Sequence, residues 1–231
     1  MKVIADCRLL HDEEDSLRSK GYDIIKCPLT TKVYEGISGH PDIQLCILEK
    51  GKILVHKDIN NDFKASILAS GAEIYESEAS LTRAYPGDII LNALCTEKYF
   101  IHNLKYTDKR LKSMICEREM IDVNQGYTKC SILPINEKAF ITNDPSIKLA
   151  LKAYDIKVLL LPYGDILLPG FNYGFIGGCG GVNQEGELLL FGDLSCYKYA
   201  SEIMSFLIKE DVKPISLSKG PLKDRGSLLF L

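Results

Sequence analysis

The sequence contains no apolar run near the ~18 residues that a helix needs to cross a bilayer, so no helical membrane span is expected. No two of its eight cysteines form a C-x-x-C pair, and no Cys/His pair has the spacing of zinc ligands, so neither a metal site nor a cofactor is expected. Charge of one sign is also lacking. The net charge is −3 at pH 7, which gives no sequence-wide basic footprint for a DNA partner. The first residues, MKVIADCRLL, carry Asp6 and Arg8 where a signal peptide needs an unbroken apolar stretch. Most of the cysteines lie inside apolar runs, where a free thiol packs as a small hydrophobe. The expectation is a reduced, cytoplasmic protein.

The 231 residues are 46% hydrophobic and 26% charged, enough for a well-buried globular core. One phrase recurs along them: a glycine, an extended apolar run, a polar turn, a second run, a helical segment and a third run. Aligned on the second run, five copies start at Lys2, Lys52, Tyr99, Ala139 and Leu188. Asp144-Pro145 reads as a helix N-cap followed by a first-turn proline, and Thr107 as the cap of the third helix. Gly21 and Gly71 stand where a helix C-terminus favours a left-handed residue. Apolar positions recur at helical spacing, as in Phe63, Ile67 and Leu68, or Ile203, Phe206 and Leu207.

The first runs are led in by Gly39, Gly87, Gly126 and Gly174, while the copy at Lys2 has none. The stretch from Gly226 to Leu231 is a glycine and a strand without a unit of its own. A closed ring resolves both, residues 226–231 supplying the missing strand of the first unit. The expected organisation is a single domain over 1–231, with units at 226–231 plus 1–38, 39–86, 87–125, 126–173 and 174–225. Counting from each glycine, period-2 alternation sends Ile43, Leu45 and Cys130 toward the helices. It sends His40, Asp42, Gln44, Cys46, Asn92, Lys129, Cys179 and Ser227 toward the ring axis.

Five ββαβ units closed by a C-terminal strand resemble the pentein fold, an α/β propeller. That fold is shared by guanidine-modifying enzymes and by translation initiation factor 6. The resemblance is architectural and covers nearly the whole chain. It implies a nucleophilic cysteine on the closing strand, where this chain has none, and a histidine in an H-x-D phrase on a first strand, for which His40-Pro41-Asp42 is the candidate. Asp88, in Tyr85-Pro86-Gly87-Asp88, is similar to the acids with which such enzymes hold guanidinium groups, or is a turn residue.

Cys179, inside GGCGG, is the candidate catalytic nucleophile, accessible and flanked by open backbone N–H groups. Alternatively the glycines only let crowded strands fit. The stretch lacks the Lys-Ser/Thr ending of a phosphate loop. His40 is a base held by Asp42 or an exposed histidine. Asp42 and Lys129 form an axial ion pair or meet an ionic ligand. Gln44 and Asn92 complete that face. Arg225 binds a carboxylate bidentately or pairs with a nearby acid. His56 and His102, at matching ends of second strands, read as repeat geometry. The aromatic loop 162–173 is a lid, a partner contact or packing over the ring mouth. Two functions follow. One is binding of a small polar ligand, guanidino or amidino in type, with possible cysteine chemistry. The other is macromolecule binding without catalysis, similar to initiation factor 6.

Overall fold

The computed structural model describes residues 1–49, 51–115 and 117–231. Their strands form five sheets of three strands each. The first sheet holds β1 (Lys2–Asp6) and β2 (Asp23–Cys27), joined by α1 (His11–Ser19). The second follows a short helix, α2 (Pro41–Gln44), and holds β3 (Leu45–Glu49), β4 (Lys52–Val55) and β5 (Glu73–Glu76), with α3 (Asn61–Leu68) before β5. The third holds β6 (Leu94–Cys95), β7 (Tyr99–His102) and β8 (Glu119–Asp122), with α4 (Lys109–Met114). The fourth follows α5 (Thr128–Ser131) and holds β9 (Ile132–Asn136), β10 (Ala139–Thr142) and β11 (Lys157–Leu160), with α6 (Pro145–Leu151). The fifth follows a 3-10 turn at Ile176–Cys179 and holds β12 (Gly180–Val182), β13 (Glu187–Leu190) and β14 (Lys213–Ser216), with α7 (Ala200–Lys209). The last strand, β15 (Leu229–Phe230), does not stay with the fifth sheet. It pairs antiparallel with β1, Val3 opposite Phe230 and Ile4 opposite Leu229, so the first sheet runs β15-β1-β2.

Each sheet is built the same way. An antiparallel first pair is followed by a helix and a parallel third strand, as in β4 with β3 and β5. Each of α3, α6 and α7 packs one apolar face between its own sheet and the preceding one. Phe63 and Ile67 are buried on α3, Ile147 and Leu151 on α6, and Ile203 and Leu207 on α7. Leu68, expected on the buried face of α3, is half exposed at its end. Asp144 caps α6 through the backbone N–H groups of Ser146 and Ile147, with Pro145 in the first turn. The cap of α4 is Asp108 and not Thr107, because the Asp108 carboxylate takes the N–H groups of Arg110 and Leu111. Gly21 and Gly71 end α1 and α3 with φ of +83° and +90°.

The lead-in runs depart from the expected strands. Residues 41–44, 128–131 and 176–179 form helical turns before their strands begin. A four-residue apolar alternation cannot separate a strand from one turn of helix. The strand phase therefore fails over these residues, and His40, Asp42, Gln44 and Cys130 are all buried regardless of offset.

No helix among the described residues is long and apolar enough to cross a membrane, and no group of three or more potential metal ligands occurs among them.

Candidate functional site

Helical turns at the start of the first strands bring backbone and side-chain polar groups of four sheets together. From α2, Asp42 accepts a hydrogen bond from Ser227 Oγ at 2.6 Å and one from the Cys130 thiol at 3.3 Å. Lys129, on α5, donates to Ser227 Oγ at 2.8 Å. The expected Asp42–Lys129 pair is thus relayed through Ser227. Ser227 sits at φ +73°, the left-handed region that a non-glycine residue enters only under tertiary constraint. Asn92 donates to the Asp42 carbonyl at 2.8 Å and to Cys130 Sγ at 3.1 Å, and accepts from the Cys130 N–H at 3.2 Å. Cys130 therefore takes part in the polar cluster while also packing, as expected, in an apolar cluster with Ile43, Leu91 and Leu111 of α4. Burial lowers the Lys129 ammonium below the ordinary lysine value, with Asp42 opposing the shift. The Cys130 thiol is raised well above its usual range, first by burial and then by Asp42.

Beyond this cluster opens a cavity of about 1100 Å³ whose wall takes residues from the first strands of all five sheets, β3, β6, β9, β12 and β15. Asp42 and Lys129 are among its lining residues. Glu49, Glu97, Glu137 and Asp211 lie around it, so carboxylates outnumber the two cationic side chains, Lys129 and Arg118. Arg118 fastens two sheets together, donating from Nε to the Thr96 carbonyl at 2.6 Å and from Nη2 to the Leu48 carbonyl at 2.5 Å.

The remaining expected site residues lie elsewhere. Gln44 is used up in structure, donating to the Pro28 and Ser38 carbonyls at 2.6 and 2.8 Å. His40 is neither exposed nor held by Asp42. Its Nδ1 stands 3.7 Å from Asp224 Oδ1, outside hydrogen-bond range, and finds no other partner. Asp224 instead takes the N–H groups of Phe175 and Gly226, at 2.9 and 3.0 Å, and burial raises its carboxyl above the ordinary range. Arg225 stands beside a nearby acid, its Nε 3.1 Å from Glu13 Oε2 but not in hydrogen-bond geometry with it. Asp88 is fully buried. One oxygen takes the Tyr127 hydroxyl, the other has no partner, and burial raises its carboxyl. The rings of Tyr85, Tyr127 and Phe175 follow one another beside it, with Tyr163 and Tyr173 of loop 162–173 packed against Phe175.

Cys179 does not present an open thiol. It is 0% exposed, packs among Leu133, Ile176 and Leu188, and donates to the Phe175 carbonyl at 3.4 Å. Burial and Asp224 push its thiol well above the usual range, the opposite of an activated nucleophile. The surrounding glycines answer to crowding. A Cβ on Gly177 would lie 2.3 to 2.5 Å from three backbone carbonyls, one on Gly178 1.8 Å from Asp224 Oδ1, and one on Gly180 2.0 Å from the Leu189 carbonyl. Asp224 went unnoticed in the sequence, since it precedes the lead-in glycine and carries no phase. Ser227 carried the right phase but no motif.

The fold is similar to that of several solved enzymes. SxtG, an amidinotransferase from Microseira wollei in the saxitoxin biosynthetic pathway, shares 10% identity at a TM-score of 0.55, over 97% of this chain and 89% of its own. Agmatine deiminase of C. jejuni with substrate bound shares 14% at 0.54, over 94% and 87%. DDAH from Pseudomonas aeruginosa, in complex with citrulline, shares 6% at 0.53, over 97% and 92%. These likenesses establish the pentein fold. No curated protein matches the sequence. The family whose pattern does match, over residues 4–229, is described as "Family of unknown function (DUF6873)", and the chain belongs to it.

Proposed function

We propose that the protein binds a small cationic ligand of the guanidino or amidino class in the cavity walled by the five first strands. The observation that carries the reading is the cavity itself: about 1100 Å³, with Asp42 in its lining and an excess of carboxylates around it. A cation entering such a site is attracted by the surrounding carboxylates, although Glu49 is already paired with Lys52 and Asp42 is bonded by Ser227 and Cys130. The similar solved structures include amidinotransferases and an agmatine deiminase, which supports the guanidino class. The five sheets are read as one domain closed into a ring about this cavity. Support comes from β15 completing the first sheet and from the contacts of β3 with β6 and β9 with β12.

The reading is one of binding and not of thiol catalysis through Cys179, which lies in an apolar cluster. Asp88 has an unpartnered oxygen but is fully buried and lies off that cavity, so it is a second place for a guanidinium only if the neighbouring tyrosines move aside. Titration calorimetry with agmatine, arginine and methylguanidine tests the proposal. Saturable binding of at least one is expected, and Val182→Phe, which fills the cavity wall, should weaken it at least ~tenfold, about 1.4 kcal/mol. Binding that survives Val182→Phe and is lost in Asp88→Asn moves the site to the other carboxylate. Absence of binding by all three compounds to folded protein overturns the reading.

A further inference from the structure

We propose that Cys46 and Cys95 are a modification site, a reversible disulfide formed by a hydroperoxide across two neighbouring sheets. Cys46 lies on β3 and Cys95 on β6, the first strands of the second and third sheets. Their sulfurs are 3.9 Å apart, in contact, with the residues 49 positions apart in sequence. A disulfide needs the sulfurs at ~2.05 Å, so closing it asks for a movement of roughly 2 Å, shared between two side chains. The strands that carry them do not have to find each other. Arg118 already clamps Leu48 of β3 and Thr96, the residue that follows β6. β3 and β6 are also in direct contact.

Both cysteines line the cavity, which gives a small oxidant a route to them. They are not equivalent. Cys46 is 3% exposed, whereas Cys95 keeps partial exposure. The hydrogen bond with Cys95 and burial both hold the Cys46 thiol well above its ordinary range. Cys95 therefore takes the first step. Its thiolate attacks one peroxide oxygen, the O–O bond breaks, and sulfenic acid and hydroxide form. The Cys46 sulfur then attacks the sulfenic sulfur and water leaves. Overall, two thiols and one hydrogen peroxide give one disulfide and two waters. A thiol reductant reverses it. The second thiol within reach makes the sulfenic acid short-lived, which protects Cys95 from irreversible oxidation.

The test uses the unmodified chain and needs no ligand. The protein is treated with about one equivalent of hydrogen peroxide, free thiols are blocked, and peptides are mapped by mass spectrometry without reductant. The expected result is a cross-linked peptide joining Cys46 to Cys95 that dithiothreitol removes. In Cys46→Ser, dimedone should label Cys95. In Cys95→Ser, Cys46 should stay unlabelled. Oxidation of the exposed Cys196 while the Cys46 and Cys95 peptides remain free thiols in folded protein would overturn the proposal.

Discussion

His102 ends the second strand of the third sheet, His56 directly follows that of the second, and both are buried. Burial is the largest cause that lowers each to about 4, from an ordinary 6.5. A lowered histidine is neutral in the folded chain and charges first in the unfolded one. Its stability contribution is therefore complete above pH 6.5 and declines as pH falls from 6.5 to 4. Each is worth about 3 kcal/mol over that window at 1.36 kcal/mol per unit. Urea titrations at pH 7 and pH 4.5 should show the loss. In His56 both ring nitrogens lack partners, whereas His102 bonds Thr107 Oγ1 at 2.8 Å. His56→Leu should accordingly keep or raise stability at pH 7 and flatten the acid decline, because it removes unsatisfied groups. A drop of more than ~2 kcal/mol at pH 7 would mean that His56 has a partner such as a buried water. At Gly180 the expectation is opposite. The Leu189 carbonyl would lie 2.0 Å from an added Cβ, so Gly180→Ala should cost more than ~3 kcal/mol by denaturant titration, although its extended φ strains no side chain.

At the scale of elements, α1 is fastened by one buried carboxylate. Glu13 takes the Leu10 N–H at 2.9 Å, and Lys223 Nζ and Ser218 Oγ lie 3.3 and 3.2 Å from its other oxygen, with Arg225 beside it. Glu13→Ala leaves two partly buried cations without their counter-charge and should cost about 3–5 kcal/mol. Glu13→Gln should cost less by keeping the Leu10 bond. Thermal melts of both rank them, and equal losses would remove the ion pairs from the explanation. The sequence showed α6 plainly, since Asp144-Pro145 combines a side-chain acceptor with a residue that needs none. It misplaced the cap of α4 by one residue because Thr107 and Asp108 are both capable caps and only the chain's turn selects between them. The lead-in runs were harder. Pro41 to Gln44 and Thr128 to Ser131 lead directly into apolar strands, and their helical turns go with tertiary contacts such as Asp42 N–H to the Gly226 carbonyl at 3.2 Å. The Asp42–Ser227–Lys129 relay depends on those turns, so its members were legible by residue type but their arrangement was not. For Cys179 the sequence leaves openness and crowding both possible, because flanking glycines serve either, and only the carbonyls closing in on Gly177 and Gly180 select crowding.

At the scale of the whole molecule, the pairing of residues 226–231 with β1 was legible because the sequence had one strand too many at its end and one too few at its start. The cavity was not, since its volume depends on how far five strands stand apart. Removing residues 226–231 takes away β15 and exposes the edge of β1. It also takes Ser227 from Lys129 and Asp42. The truncated chain should lose its cooperative thermal transition and bind a hydrophobic dye. A sharp transition within a few degrees of the full chain's would show that β15 is dispensable. The same pairing has a temporal side. Val3 meets Phe230 across almost the entire sequence, the kind of distant contact that slows folding. A ribosome making residues one after another finishes β1 long before β15 emerges. Until then the first sheet has two strands, an open edge and no complete core, and the nascent chain depends on whatever shields that edge.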